Sequence, residues 1–466
     1  APLENIEANF GCRPGRALVL EGLRWTWLDT DVEPFNLRLQ RGWQEGVELV
    51  ANQLALAPLR SLAGLLPLLP DEALRALENY RPSGYLDDFY LQLPEDTSKF
   101  RLTTRLRDVS VQAYDGAPGG SGVHGYLQLD AGGGFIELDS DHSATIGFPQ
   151  LFNTDWTFSQ PAGRVSWQLD GPITRVYAGD LSMTYHDDTR LTGGFDLRLD
   201  KRGEDNLGLR VGVENADASR IGEFIPAKVI NEGLYGWLTD SIRGGRVTAG
   251  TYYGHGRIDR NAPNGSFTSS MWYEFDDGQV RYDPAWPEAT GVAGRVQVHN
   301  ESALIRLESG RTGGLAVGPV EVVLTPGTGS ESSVLKVQAS PEATGANVSW
   351  WLANTPLGDW GGETLQQADI TGDYRLALDL DIPLAEGAEP TVQVRAQTDN
   401  GGFRLAGNGP AWTDITGDLT YHTHNGFSGD PVRSRFLDQP VTIELDTADN
   451  GQGLDIRQTG RLPMPE

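Results

Sequence analysis

The apolar positions of this chain recur mainly at every second residue. Phe100, Leu102 and Leu106 open the series, followed by Val165, Trp167 and Leu169, then Phe195, Leu197 and Leu199, then Leu207, Leu209, Val211 and Val213. Met271, Tyr273 and Phe275 continue it, as do Tyr374, Leu376, Leu378, Leu380 and Ile382, and finally Val441, Ile443 and Leu445. A period of two predicts strands, and the intervening residues are mostly Arg, Asp, Glu, Gln, Ser, Thr or Gly. Each strand therefore has an apolar face and a wet one, the pattern of antiparallel sheets.

The first hundred residues are less uniform. Ala17 to Gln40 alternates in short bursts, Leu18 and Leu20, then Leu23, Trp25 and Trp27, then Phe35, Leu37 and Leu39. From Val47 to Leu69 the spacing turns helix-like through Leu54, Leu56, Leu59, Leu62, Leu65, Leu66 and Leu69, with Pro58 and Pro67 as stops, predicting short helices. Pro70 and Asp71 open another predicted helix that buries Ala73, Leu74, Leu77 and Tyr80 and ends at Arg81-Pro-Ser-Gly84. One more is expected over 226–243, with proline in its first turn and Gly244-Gly245 after its end. Its stripe of Ile230, Leu234, Trp237, Leu238 and Ile242 should lie against the sheet.

These elements suggest three segments. Residues 1–95 hold N-terminal strands and a short-helix cluster, 96–325 hold sheet with the 226–243 helix, and 326–466 continue the sheet. The Gly/Ser-rich stretch from Pro326 to Ser333 is the best hinge between them.

Composition fits a folded, turn-rich β protein: 38% of residues are apolar, too many for disorder, and 58 Gly and 27 Pro are too many for helical bundles. The net charge of −27, without a local run of Lys or Arg, argues against nucleic acid as a partner. The same sign opposes adhesion to anionic headgroups, so any lipid contact should be made through acyl tails. Cys12, the single cysteine, has no partner for an intrachain disulfide. The first 21 residues do not read as a signal peptide, and no apolar run reaches about 18 residues. We expect a piece of a longer protein.

Catalytic motifs are absent: the chain has no GxSxG elbow, HExxH, P-loop or dinucleotide fingerprint, and we assign no catalytic residue and no cofactor. His422-Thr-His424 puts two imidazoles on one strand face, with His186 at the matching place in a similar stretch, but exposed strand histidines are much commoner than metal sites and we assign no metal. Asp187-Asp188 and Asp276-Asp277-Gly278 read more simply as hairpin turns than as acid/base or calcium ligands. Twelve tryptophans, including Trp350-Trp351, invite a carbohydrate platform, yet most fall on the apolar strand phase and suit core or lipid-facing positions.

Three stretches between Phe224 and Asn300 carry a resemblance. They are Ile225-Pro-Ala-Lys-Val-Ile-Asn-Glu-Gly-Leu-Tyr-Gly-Trp-Leu238 followed by Ile242-Arg-Gly-Gly-Arg-Val247, then Tyr253-Gly-His-Gly-Arg-Ile-Asp-Arg260, then Val280-Arg-Tyr-Asp-Pro-Ala-Trp-Pro287. In this order they resemble the YhdP family of AsmA-like bacterial envelope proteins. Gly132-Gly-Gly-Phe-Ile-Glu-Leu-Asp-Ser140 and Arg81-Pro-Ser-Gly84 look like further landmarks; Asn261 to Phe267 departs from the family's Phe-Pro-Phe. The resemblance implies a long, curled, predominantly antiparallel sheet forming an elongated groove, with a few short helices against it. It also implies an inner-membrane anchor outside this sequence, a periplasmic location, phospholipids as cargo, and inner- and outer-membrane proteins as partners at the ends. About 25 to 30 strands at about 4.8 Å would make such a sheet roughly 120 to 145 Å long.

Under that reading the groove lining comprises Val165, Trp167, Phe195, Leu197, Leu209, Val211, Tyr273, Phe275, Leu376, Leu378, Val441 and Ile443, which should share one face. The expected function is a non-enzymatic lipid conduit. An envelope scaffold or binding module with a closed, dry core is the alternative, and a carbohydrate-active β enzyme ranks third, because polar residues do not converge on one cleft.

Overall fold

The computed structural model describes residues 3–13, 17–27, 30–41, 46–63, 71–186, 188–327, 332–357, 367–384, 388–405, 407, 409–447 and 454–461. The chain is mainly β, antiparallel sheet with short helices, as the period-two pattern predicts. It divides into two compact units. The first comprises Ala1–Ala216, Glu223–Glu232 and Thr251–Ser269, and the second Asp217–Gly222, Gly233–Gly250 and Ser270–Glu466.

In both units strands pair with those nearest in sequence. In the first, Leu3–Arg13, Ala17–Trp27, Phe35–Arg41, Val47–Ala55, Ser83–Leu93, Arg101–Val111 and Gly119–Asp130 follow one another across the sheet. Two rows of short strands set end to end come next, Gly133–Leu138 beside Ala144–Gly147 and then Arg164–Asp170 beside Trp156–Ala162. Ile173–Tyr185, Thr189–Asp200 and Asn206–Asp217 complete the series. In the second unit the order runs from Phe267–Val280 through Ala289–His299, Ser302–Thr312, Val320–Thr325, Val334–Ala339, Asp373–Pro383, Thr391–Arg404 and Ala411–His422 to Val432–Phe436, Gln439–Thr447 and Leu454–Gly460.

Bulges recur from strand to strand. The pairing register slips between Leu20 and Leu23, Asp87 and Tyr90, Leu106 and Val109, Phe275 and Gly278, Thr290 and Ala293, and Thr413 and Thr416. Within those gaps Gly22, Asp88, Asp108, Asp277, Gly291 and Asp414 take left-handed φ values between 49° and 61°. Glycine adopts this region without a Cβ penalty, and aspartate tolerates it better than most residues. Each bulge bends its strand, tightens the local twist and restarts the inward phase one residue late. This is why Leu18 and Leu20 are followed by Leu23 and Trp25 on the same side.

Three sequence-based expectations change here. Val47–Ala55 is a strand, because Val47, Leu49 and Ala51 lie opposite Arg41, Leu39 and Leu37 on one neighbour and Leu93, Leu91 and Phe89 on the other. Helix is confined to Leu56–Ala63 and, as expected, Asp71–Tyr80; Leu65, Leu66, Pro67, Leu69 and Pro70 fall outside the described residues, as does part of the hinge candidate, 328–331. Asp276-Asp277-Gly278 is a bulge inside the long strand Phe267–Val280 and not a hairpin turn. Asp188 does stand between paired strands, whereas Asp187 is outside the described residues.

The 226–243 helix begins later than expected. Residues 226–230 form a turn, with the Val229 and Ile230 N–H groups both donating to the Pro226 carbonyl, and the helix is Glu232–Ser241. The shorter helix presents a different side inward: Tyr235, Leu238 and Thr239 are half-buried, while Leu234 and Trp237 are 49% and 47% exposed. The Trp237 indole N–H donates to the Tyr282 carbonyl at 3.1 Å. We therefore expect Trp237→Ala to cost no more than about 1 kcal/mol, well under the core-truncation range, in a denaturant melt.

Buried hydrophobic residues gather in small clusters. In the first unit Trp25, Phe35, Ala51, Leu54 and Phe89 form one, and Trp156, Phe158 and Tyr185 another. In the second unit Trp412, Val432, Val441 and Ile443 pack together. Elsewhere the apolar sides of the strands are mostly half-buried, with single buried residues such as Leu106, Ala178, Val292, Val320 and Val392 among them.

Candidate binding surface

Directly opposed residues of antiparallel strands project to the same side, so registers trace faces across a sheet. In the first unit one line runs unbroken through Cys12, Leu18, Leu39, Leu49, Leu91, Leu102, Leu129, Gly134, Trp167, Val176, Leu197 and Leu207. Beside it, Leu127, Ile136 and Val165 are opposed in turn, as are Ala178, Phe195 and Leu209, and Val211 faces Gly193. Val165, Trp167, Phe195, Leu197, Leu209 and Val211 thus lie on one apolar face, each half-buried.

The second unit repeats the arrangement. One line links Phe275, Gly294, Leu307, Val320, Ala339, Leu378, Val394, Tyr421 and Phe427. Its neighbour links Tyr273, Val296, Ile305, Val322, Val337, Leu380 and Val392, and Leu376 faces Ala396. Tyr273, Phe275, Leu376 and Leu378 are half-buried. Val441 and Ile443 differ, at 5% and 4% exposure, because Trp412 and Val432 cover them. Single-strand periodicity did not single out Ile305, Val322 and Val337. Their alternation with Arg306, Glu321 and Lys336 was the available signal.

The opposite faces are polar along equally continuous lines. In the first unit Gln40, Glu48, Gln92, Arg101, Asp130, Gly133, Gln168, Arg175, Arg198 and Asn206 oppose one another. In the second the line is Glu274, Arg295, Arg306, Glu321, Gln338, Asp379, Gln393 and His422, with ion pairs from Arg295 to Glu274 and from Arg306 to Glu321. Such exposed pairs add little stability each, about 0 to 1 kcal/mol, but they mark the wet side. The Arg175 guanidinium, bonded to both Asp196 oxygens, holds that carboxyl below the usual carboxylate range. Burial pushes the Tyr252 and Tyr374 hydroxyls up.

Buried hydroxyls on the apolar side find backbone acceptors, whereas the buried Trp25 indole N–H has none among the described residues. Thr104, only 1% exposed, donates its hydroxyl to the Asp87 carbonyl at 2.8 Å, and Ser434 donates to the Thr413 carbonyl at 2.9 Å. His422 and His424 sit with ring centroids 5.7 Å apart, and the His424 backbone N–H donates to the His422 Nδ1. His186 packs edge-on to Tyr185. Among the described residues no three His, Cys, Asp or Glu side chains converge in a way that could hold a metal. No described helix is long and apolar enough to cross a membrane.

Each unit thus presents a broad sheet face suited to apolar, non-directional contact. Among curated proteins, the chain is 22% identical over 417 residues to the intermembrane phospholipid transporter YhdP of Escherichia coli (strain K12), covering 87% of this chain and 32% of that protein. The chain therefore spans about a third of that relative's length. No solved structure matches it significantly. The YhdP protein family matches residues 17–466, nearly the whole of the two apolar faces described above, and the chain belongs to that family.

Proposed function

We propose that this chain is part of a non-enzymatic phospholipid conduit in the periplasm, in which acyl tails travel along the apolar sheet face between inner and outer membranes. The observation that carries this reading is the continuity of that face. Within each unit a leucine, valine or aromatic residue mostly stands opposite its like from strand to strand, largely half-buried, while the other side carries continuous lines of polar and charged residues. Each methylene taken from water contributes about 0.8 kcal/mol, and a tail sliding from one leucine to the next has no hydrogen bond to break. Charged headgroups would remain in water, since moving them onto the face would desolvate them. The relative's name as an intermembrane phospholipid transporter supports the same cargo. Membrane proteins at either end of the full-length protein would load and unload it.

Gentle purification followed by lipid extraction and mass spectrometry tests the proposal. Phospholipid is expected in the wild-type protein, and a protein consistently free of lipid would sink it. An envelope scaffold with a closed, dry core is the second reading, favoured by the packing of Val441 and Ile443 under Trp412. Under that reading no lipid co-purifies.

A further inference from the structure

The apolar faces contain rings that lean onto glycines of the next strand. A methyl group placed on Gly250 would collide with Tyr273 at Cδ1 and, at 2.8 Å, at Cε1. One placed on Gly134 would lie 2.7 Å from Cζ2 of Trp167, and one on Gly254 would lie 2.8 Å from Cζ of Phe267. Gly250 has no left-handed φ, so its backbone does not demand glycine. What requires the missing side chain there is chiefly the Tyr273 ring, with the Trp272 carbonyl 2.9 Å away as the next contact. Glycine inside a strand weakens it and commonly marks a place where something else must come close.

We propose that Tyr273 and Trp167 set the depth of the apolar track, with Gly250 and Gly134 as the positioning residues that let their rings lie low. The inference rests on the conduit reading. A ring lying against the neighbouring backbone rises by about one contact distance, roughly 3.5 Å, and leaves room above it. The same ring propped up by a methyl would stand in the path of a tail. Both rings occupy central lines: Tyr273 opposes Val296 and leads to Ile305 and Val322, while Trp167 lies between Leu129 and Leu197 with Gly134 and Val176 beside it.

Gly250 is the better test site, because the carbonyl a methyl would meet there, that of Trp272 at 2.9 Å, is less tight than the Gln128 carbonyl at Gly134. A diazirine amino acid at Val296 reports lipid passing beside Tyr273, and one at Leu378 reports lipid farther along the sheet. The purified chain is incubated with phosphatidylethanolamine vesicles, irradiated and analysed for adducts. Gly250→Ala should lower the Val296 adduct by about tenfold, in line with the cost of overpacking, and leave the Leu378 adduct unchanged. Adding Tyr273→Ala to Gly250→Ala should restore it, and a Leu378 adduct that stays at the wild-type level throughout separates this local effect from a damaged fold. An unchanged Val296 adduct in Gly250→Ala, or no recovery in the folded double variant, overturns the proposal. If Gly250→Ala does not fold, single substitutions at Tyr273 decide. Tyr273→Ile, whose branched side chain cannot lie low, should lose the adduct, and Tyr273→Ala should keep it; the reverse order overturns the idea. Wild-type protein without adducts at either position would instead count against the conduit itself.

Discussion

Leu378→Asp and Leu209→Asp should each strip phospholipid from the purified protein while leaving it folded. Both leucines are half-buried and flanked on their strands by apolar residues two positions away, Leu376 and Leu380 in one case, Leu207 and Val211 in the other. Across the sheet Leu378 faces Ala339 and Val394, and Leu209 faces Phe195. A carboxylate placed there keeps partial access to water, so the fold tolerates it. A tail crossing it must displace that water, at a cost of roughly a few kcal/mol. Circular dichroism and thermal melting should stay close to wild type, and co-purifying lipid should fall by about tenfold or more, each 1.4 kcal/mol being a factor of ten. Unfolding by both substitutions would identify a packed core and favour the scaffold. Folded variants with normal lipid content would move the conduit off this face.

Trp412→Ala should have the largest effect on stability in the second unit, about 3 to 5 kcal/mol. The ring is 8% exposed, stacks on Phe436 at 5.4 Å between centroids, lies 5.9 Å from Phe403, and donates its indole N–H to the Gln458 side chain at 2.7 Å. Its removal leaves a cavity above Val432, Val441 and Ile443 and orphans the Gln458 acceptor. The denaturant midpoint should fall far more than for Trp237→Ala. Equal losses at the two sites would mean that the cluster does not hold this part of the sheet together.

The contrast between those tryptophans shows what the sequence could express. Period-two alternation identified strands around Val165, Phe195, Leu209, Tyr273 and Leu378, because a side chain's face in an extended chain depends only on parity. Register determines what covers that side chain, and a single strand holds no record of its register. Leu378 and Ile443 thus look alike in sequence, yet one is half open and the other roofed by Trp412. Parity also fails at bulges: Asp88 and Asp108 read as ordinary polar positions and Asp277 as part of a turn, and only pairing reveals them as the extra residue. Val47 to Ala55 was obscured by the leucines that follow it, whose spacing suits the helix beginning at Leu56. The helix after Pro226 was placed too early, since a proline that starts a helix and one that starts a turn leave the same mark.

Pairing between strands close in sequence has a consequence for how such a chain is made and altered. Within each unit a strand depends mainly on the two beside it, so stability accumulates hairpin by hairpin, much as in solenoid repeats, and no closing contact between distant ends is required. Loops between neighbours close early and at little entropic cost, so folding can follow synthesis from the N-terminus. Adding or deleting one hairpin would change the number of rows and leave the rest in register. Length is then a property that evolution can adjust in small steps, one hairpin at a time.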